Sequence, residues 1–531
     1  MDRCIIRNAR VLDGIDGYMD RDILIQDQII QALLPRHATV GDALELEAQG
    51  LLAVPGFIDI HRHGDLKPFA DQPWDELTQG ITTMVNGNCG FSPVPNTPET
   101  FIAVSDYAAP IMGRMPPALC GITAEAFFRS VQAQPLGLNI GYLVGNGSLR
   151  RAVAGFSDSR LTKDQFGKIL TLLEEALDAG ALGLSMGIMY SPECYYNTEE
   201  LARIAAVAAR YGRPVIAHIR SEGRNVLSSM AEMIQIGEKS GAHIHISHLK
   251  AAGTEMWGHA VDQILEMIDA ARSRGIQVTF DAYPYAAGST TLLSLLPPEV
   301  LTNGTAGVLR ELESPERRQY ILDQFRQNRQ DWDNFVKSLG WERVIISGSS
   351  RPEEAGKSVM ELADLAQEDP GSFALELLRR DNGQISIILE EMDPDDVKKI
   401  LSRDDCIVIS DALYSQGGKP HPRRYGAFPR FLCKYVKEEK LVSLQQAIRE
   451  MTALPAELLA LHDRGRIREG CRADIVLLDW EKLKDRATYT QPNRGSEGIV
   501  SVLVNGEIAC YQGSVTGNHA GRLLTCKPVL A

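Results

Sequence analysis

Six side chains of metal-binding type stand at or near the ends of apolar runs in this chain: His61, His63, Cys89, His218, His248 and Asp411. In Phe57-Ile58-Asp59-Ile60-His61-Arg62-His63 the two imidazoles are two residues apart, so an extended backbone turns both to one face with Asp59 below them. Two imidazoles so placed can hold one metal ion, and a buried Asp59 is positioned to orient one ring. His218 ends the run Val215-Ile216-Ala217, and His248 ends Ala242-His243-Ile244-His245-Ile246-Ser247. Alternation puts His248 on the face of Ile244 and Ile246, and His243 and His245 on the other. If the isoleucines line the interior, His248 is the inward candidate and His243 and His245 pack against helices; exchanging the faces would exchange the roles. Asp411 closes the run Cys406-Ile407-Val408-Ile409-Ser410, where a carboxylate is costly without a metal or hydrogen-bond partner. Cys89 sits in the glycine-rich turn Asn86-Gly87-Asn88-Cys89-Gly90, and a thiolate there is a strong zinc ligand.

Positioning six such groups around one point requires several strands with a common direction. Eight β-like runs, at 54–61, 81–88, 138–145, 181–187, 214–219, 243–248, 276–283 and 406–411, alternate with helical stretches such as 163–179, 198–211 and 260–274. That is the pattern of an α/β protein with a TIM (β/α)8 barrel, whose chemistry lies at the C-terminal ends of the strands. Strand-like segments also occur near both ends, at 4–11, 22–26, 473–478 and 500–504, the last followed by the turn Asn505-Gly506. The expected organisation is a barrel domain over 54–464, with 1–53 and 465–531 meeting in one small β domain. The connection from Tyr283 to Cys406 is far longer than a βα loop and carries its own helix start, Ser314-Pro315-Glu316. An inserted lid over about 286–345 is expected there.

The 531 residues carry a net charge of -14 with no basic stretch to neutralise phosphates, which argues against nucleic-acid binding and leaves a small-molecule substrate. Arg3, Arg7 and Asp13 interrupt the first apolar residues, and no apolar run reaches membrane-spanning length. Nine cysteines without paired spacing fit a reduced cytoplasm better than a disulfide framework.

An ordered series of segments resembles the D-aminoacylase (N-acyl-D-amino-acid deacylase) group of the amidohydrolase superfamily over nearly the whole chain. It runs from Pro55-Gly56-Phe57-Ile58-Asp59-Ile60-His61-Arg62-His63 through Gly80-Ile81-Thr82-Thr83 to Gly87-Asn88-Cys89-Gly90-Phe91-Ser92-Pro93. It continues with Gly183-Leu184-Ser185-Met186-Gly187-Ile188-Met189-Tyr190, His218-Ile219-Arg220-Ser221-Glu222-Gly223 and Ser247-His248-Leu249-Lys250. Asp281-Ala282-Tyr283-Pro284-Tyr285, Gly288-Ser289-Thr290, Ser410-Asp411 and His421-Pro422-Arg423 complete it. The resemblance implies zinc, held tightly by Cys89, His218 and His248, with His61, His63 and Asp411 forming a second, weaker position. Many relatives bridge two metals with a carboxylated lysine, and the Cys89 strand end takes that place here. Two departures stand out. Asn146 replaces a histidine common in the family, and the loop Ser191-Pro192-Glu193-Cys194-Tyr195-Tyr196 is bulkier than usual, which bears on the side-chain pocket.

The expected activity is zinc-dependent hydrolysis of N-acyl-D-amino acids to a D-amino acid and a carboxylate, with the choice of D over L coming wholly from the resemblance. Asp411 would take a proton from the attacking water and deliver it to the departing amine. The substrate carboxylate needs cations or donors: Lys250, two residues beyond His248, and, by resemblance, Tyr190, Tyr283, Ser289 and Arg423. The competing readings are an amidohydrolase acting on cyclic amides, N-acyl dipeptides or N-formyl compounds, and an inactive barrel used as a scaffold.

Overall fold

The computed structural model describes residues 3–70, 73–414 and 417–526. Met1, Asp2 and residues 527–531, the outer limits of the two expected end segments, lie outside the described residues. All eight expected strands are present and in order, although shorter than the apolar runs that announced them. They are Phe57–Asp59, Ile81–Asn86, Asn139–Tyr142 continued by Val144–Gly145, Leu184–Gly187, Val215–His218, Ile244–Ile246, Val278–Ala282 and Cys406–Val408. The strands from Val144–Gly145 to Val278–Ala282 pair in parallel in chain order, and Cys406–Val408 pairs with Val278–Ala282. Phe57–Asp59, Ile81–Asn86 and Asn139–Tyr142 form a second parallel run. Beyond the strand ends, the His63 amide donates to the Ala412 carbonyl at 3.0 Å and the Asp411 amide to the His61 carbonyl at 2.9 Å. Two metal-type segments are thereby stitched side by side.

Helices fill the connections, and their ends follow local chemistry. Lys163–Asp178 begins in a capping box, Thr162 accepting from the Gln165 amide while Gln165 returns the bond to the Thr162 amide. Thr198–Arg210 repeats the device with Asn197 and Glu200. At the start of Pro315–Gln324, Ser314 accepts from the Arg317 amide, as the Ser-Pro-Glu triplet predicts.

Both ends of the chain contribute to one nine-stranded sheet. Its centre joins Ile475–Leu478 antiparallel to Leu52–Pro55, with Arg3–Leu12 on the far side of the latter. The first expected barrel run therefore splits at Gly56, its front half serving this sheet and its back half the parallel one. Asp474 ties the two together: its carboxylate accepts from Asn139 at 3.1 Å and from the Asn505 amide at 2.7 Å, and pairs with buried Arg464 at 2.6 Å. The last described residues leave this sheet, Leu523–Leu524 pairing in parallel with Ile140 and Gly141. The long connection after Tyr283 builds a three-stranded antiparallel sheet of Gly288–Thr291, Ser386–Leu389 and Val344–Gly348.

Glu450 is buried on Leu444–Met451, and one of its carboxylate oxygens has no hydrogen-bond partner. Burial raises its pKa from the ordinary 4.5 to about 9, with Asp404 and Asp405 adding to the rise. The folded protein thus holds a proton that the unfolded chain releases near 4.5, so this contribution to stability is complete at low pH and fades as pH climbs toward 9. Replacing Glu450 by Gln should raise the thermal midpoint at pH 8 and leave it little changed at pH 4.5, as scanning calorimetry at the two pH values will record.

Candidate metal centre

Four of the six expected donors meet tightly. Cys89 Sγ lies 3.3 Å from His61 Nε2, 3.5 Å from His248 Nε2 and 4.0 Å from His218 Nδ1, and the last two nitrogens are 3.0 Å apart. Zn–N distances of about 2.0–2.1 Å and Zn–S of about 2.3 Å in a tetrahedron separate donors by roughly 3.3–3.8 Å. The cluster has that scale and that donor chemistry, so the residues fit zinc. His63 and His61 turn their Nε2 atoms to Asp411 Oδ1 at 3.4 and 3.5 Å, which makes a second group of His61, His63 and Asp411 beside the first. All six expected metal residues are therefore in one place, with His61 and Cys89 at the junction.

Local backbone geometry aims these groups. Cys89, His248 and Asp411 adopt positive φ, +51°, +35° and +50°, a conformation that residues with a Cβ avoid. Neighbouring side chains hold the turns. Asn88 Nδ2 donates to the carbonyls of Ile60, Arg62 and Val85, while Ser185 Oγ accepts from the Gly90 amide at 3.1 Å and donates to the Gly87 carbonyl. A Cβ at Gly187 would come 2.0 Å from the Cys89 carbonyl oxygen, so the strand beside the thiol must be bare there.

Alternation did not deliver His248. The strand stops at Ile246, and the turn through Ser247 brings His248 into the cluster. The face turned toward His61 is the one bearing His245, not the isoleucines. His245 Nε2 bonds Asp281 at 2.9 Å, Asp281 accepts from the His248 amide, and its Oδ2 lies 3.7 Å from His61 Nδ1. His245 and His243, expected against helices, instead share Thr279 Oγ1 at 2.8 Å each. Nor does Asp59 orient a histidine ring: it pairs with Arg62 at 3.0 Å and Ser410 at 2.5 Å, and Asp281 takes the place beside His61. Glu222 went unassigned in the sequence, yet its oxygens lie 2.9 Å from His248 Nδ1 and 3.7 Å from His218 Nε2. Those are the ring nitrogens turned away from Cys89, so Glu222 backs the two imidazoles as an outer carboxylate. Its spacing of four from His218 and the strand-end position of Asp281 were the available signals.

The electrostatics single out two groups. Burial pushes the thiols of Cys4, Cys194, Cys406, Cys433, Cys471, Cys510 and Cys526 up. At Cys89 burial acts the same way, but the charge of His61 and hydrogen bonds from His218, His248 and His61 outweigh it and hold the thiol well below its ordinary value. Asp411 is likewise buried, yet Arg423, His61 and His63 hold its carboxyl well below the usual range.

A cleft opens over the cluster. Tyr190, Lys250, Tyr283, Ser289 and Arg423 all line it, as expected, but with partners of their own. Lys250 reaches both Glu222 oxygens at 3.0 Å, and Arg423 Nη2 pairs with Asp411 Oδ2 at 2.9 Å. Ser289 Oγ donates to the Ile387 carbonyl, and Tyr190 packs its ring 4.8 Å from that of His218. Arg423 keeps Nε and Nη1 without a hydrogen-bond partner. Asn146 donates to Glu193 Oε2 at 2.8 Å, whose other oxygen accepts from the Gly187 amide. The bulky 191–196 loop faces elsewhere: Tyr195 donates to the Pro298 carbonyl, and Arg220 ties down the carbonyls of Cys194 and Tyr196. It does not line the cleft.

A thiolate and imidazoles at the ends of parallel strands, with an aspartate opposite, define a metal-dependent hydrolase centre. The Amidohydrolase family matches over residues 52–271 and 394–510. N-acyl-D-glutamate deacylase of Alcaligenes xylosoxydans xylosoxydans is 33% identical over 529 residues, 98% of this chain and 96% of that one. The crystal structure of N-acyl-D-glutamate deacylase from Bordetella bronchiseptica, complexed with zinc and a phosphonate mimic of the tetrahedral intermediate, superposes with a TM-score of 0.83 at 31% identity, covering 98% of this chain and 99% of that one. A D-aminoacylase with a binuclear metal centre gives 0.82 at 28% identity, covering 98% and 99%. The chain belongs to the N-acyl-D-amino-acid deacylase family of amidohydrolases.

Replacing Cys89 by Ala should reduce tightly held zinc from about one equivalent to a small fraction, because the thiolate is the one anionic donor among its three expected ligands. Asp411→Asn should keep it. Plasma emission spectrometry on desalted protein checks both.

Proposed function

We propose that this protein hydrolyses the amide bond of N-acyl-D-amino acids, with zinc at Cys89, His218 and His248 and a second position at His61, His63 and Asp411. The observation that carries this reading is the Cys89 cluster with Asp411 set beside it against His61 and His63, and Arg423 paired to Asp411 at 2.9 Å. When bound, zinc supplies Lewis acidity toward an amide carbonyl and toward water.

The chain's own residues do the rest. Arg423, paired with Asp411 through Nη2, and Lys250 both line the cleft, and these two cations attract the substrate carboxylate by their charge. Asp411 stays ionised through the neutral range and can take a proton from water as the carbon–oxygen bond forms. Returning that proton to the nitrogen as the carbon–nitrogen bond breaks releases a neutral amine rather than an amide anion. Tyr283 and Tyr190 wall the cleft, with the Arg423 guanidinium 4.6 Å over the Tyr283 ring. Lys250 steadies Glu222 and reaches His248 Nδ1 at 3.0 Å, and serves the substrate carboxylate by its charge more than by a free contact. Selectivity for the D-enantiomer rests on family membership.

The same reading extends to architecture and setting. We take the two parallel runs, joined through Leu143 and through the His61–His63 and Asp411–Ala412 segments, as one closed (β/α)8 barrel over 54–464. The described residues of the segments 1–53 and 465–531, apart from Leu523–Leu524, then form its composite β domain, and an inserted lid lies over about 286–345. Among the described residues no helix is long and apolar enough to cross a membrane. A cytoplasmic location suits a catalytic thiolate ligand, which must stay reduced.

Amine release from N-acetyl-D-amino acids, with the L-enantiomers as controls, tests the activity. The D-forms should react and the L-forms should not, and turnover of cyclic amides alone would refute the reading. Asp411→Asn should lower kcat by about 10²- to 10⁴-fold.

A further inference from the structure

The cleft brings together three carboxylates and two side-chain cations outside the imidazoles, and their pairing is uneven. Glu222 takes Lys250 and Asp411 takes Arg423. Glu391 lines the same cleft, is 5% exposed, and forms no ion pair among the described residues. Its Oε1 has only the Tyr283 hydroxyl, at 3.4 Å. The carboxylate is firmly posted. The Glu391 carbonyl accepts from the Gly253 amide and from Trp257 Nε1, both at 2.9 Å, and a Cβ at Gly288 would lie 2.1 Å from its Oε1. Burial lifts its pKa to about 7 against the opposing charges of Lys250, Arg423 and His248, and Glu222 adds to the rise.

Most of the remaining wall is apolar, formed by Phe91, Ile111, Met189, Phe335, Leu389 and Leu413, with Thr290 the polar member. The α-carboxylate of a substrate would draw on the charge of Arg423 and Lys250, the two side-chain cations lining the cleft. A second carboxylate, on the substrate side chain, would then find no uncommitted cation and would share the cleft with Glu391. Two like charges that are both poorly solvated repel strongly, whereas an apolar side chain gains from the same wall.

We propose that the substrates are N-acyl-D-amino acids with uncharged, apolar side chains, and that Glu391 is a specificity-determining residue that turns acidic side chains away. The proposal rests on the deacylase reading above and narrows it. It separates this chain from the relative that acts on N-acyl-D-glutamate, although the two are 33% identical.

The test compares kcat/KM for N-acetyl-D-methionine, N-acetyl-D-leucine, N-acetyl-D-glutamate and N-acetyl-D-lysine on the zinc-loaded enzyme. The two apolar substrates should exceed the glutamate by about 100-fold or more. A glutamate or lysine substrate that matches or beats them overturns the proposed class. Release from none of the four defeats the deacylase reading itself, a different and distinguishable result. Glu391→Gln should raise the glutamate-to-methionine ratio by about tenfold, and this ratio does not depend on how much of the variant folds. An unchanged ratio removes Glu391 from the account.

Discussion

A thiolate and three imidazole nitrogens lie within 3.0–4.0 Å of their neighbours in a site shielded from water. Lone pairs gathered so closely repel one another unless a positive charge stands between them, and in a medium of low polarity that repulsion is weakly screened. The surrounding structure resists dispersal of the donors. Asp281 and Glu222 hold the outer sides of His61, His218 and His248, Ser185 and Asn88 hold the Cys89 turn, and Arg423 holds Asp411. A metal ion is the group that makes this concentration of donors favourable.

The same demand accounts for the strained backbone. Cys89, His248 and Asp411 come from three different strand ends, and each takes a left-handed conformation to bend back over the opening. Such residues cost of order 1–3 kcal/mol each and persist where their surroundings over-determine them. Here the buried hydrogen bonds around the Cys89 turn and the Asp281 bond to the His248 amide do so. Parallel strands behind the turns supply a rigid base, and Asp474 ties the two-ended sheet to the Asn139 strand.

Much of this was readable in the residues. Apolar runs announced all eight strands, and the five that end at or beside His, Cys or Asp carried all six metal-type groups, because a polar side chain closing a buried run needs a special partner. Period-two reasoning worked for His61 and His63, which lie close enough to the strand for alternation to hold. It failed at His248, where a turn with positive φ intervenes after Ile246, and it therefore misjudged His245. Asp281 and Glu222 were hidden because a carboxylate that backs a histidine touches it only through tertiary structure. Glu391 carried no local signal at all; its place in the cleft is set by the long insertion, whose path depends on contacts hundreds of residues apart.

The charge arrangement links the metal centre to substrate choice. One cation steadies the carboxylate behind the histidines, the other pairs with the aspartate at the cleft, and the third carboxylate forms no ion pair among the described residues. Everything depends on the thiolate being a ligand, and X-ray absorption at the zinc edge addresses that directly. The zinc-loaded protein should show one sulfur at about 2.3 Å with nitrogen or oxygen neighbours at about 2.0–2.1 Å. A spectrum with light-atom neighbours alone, and no sulfur shell, would contradict the account.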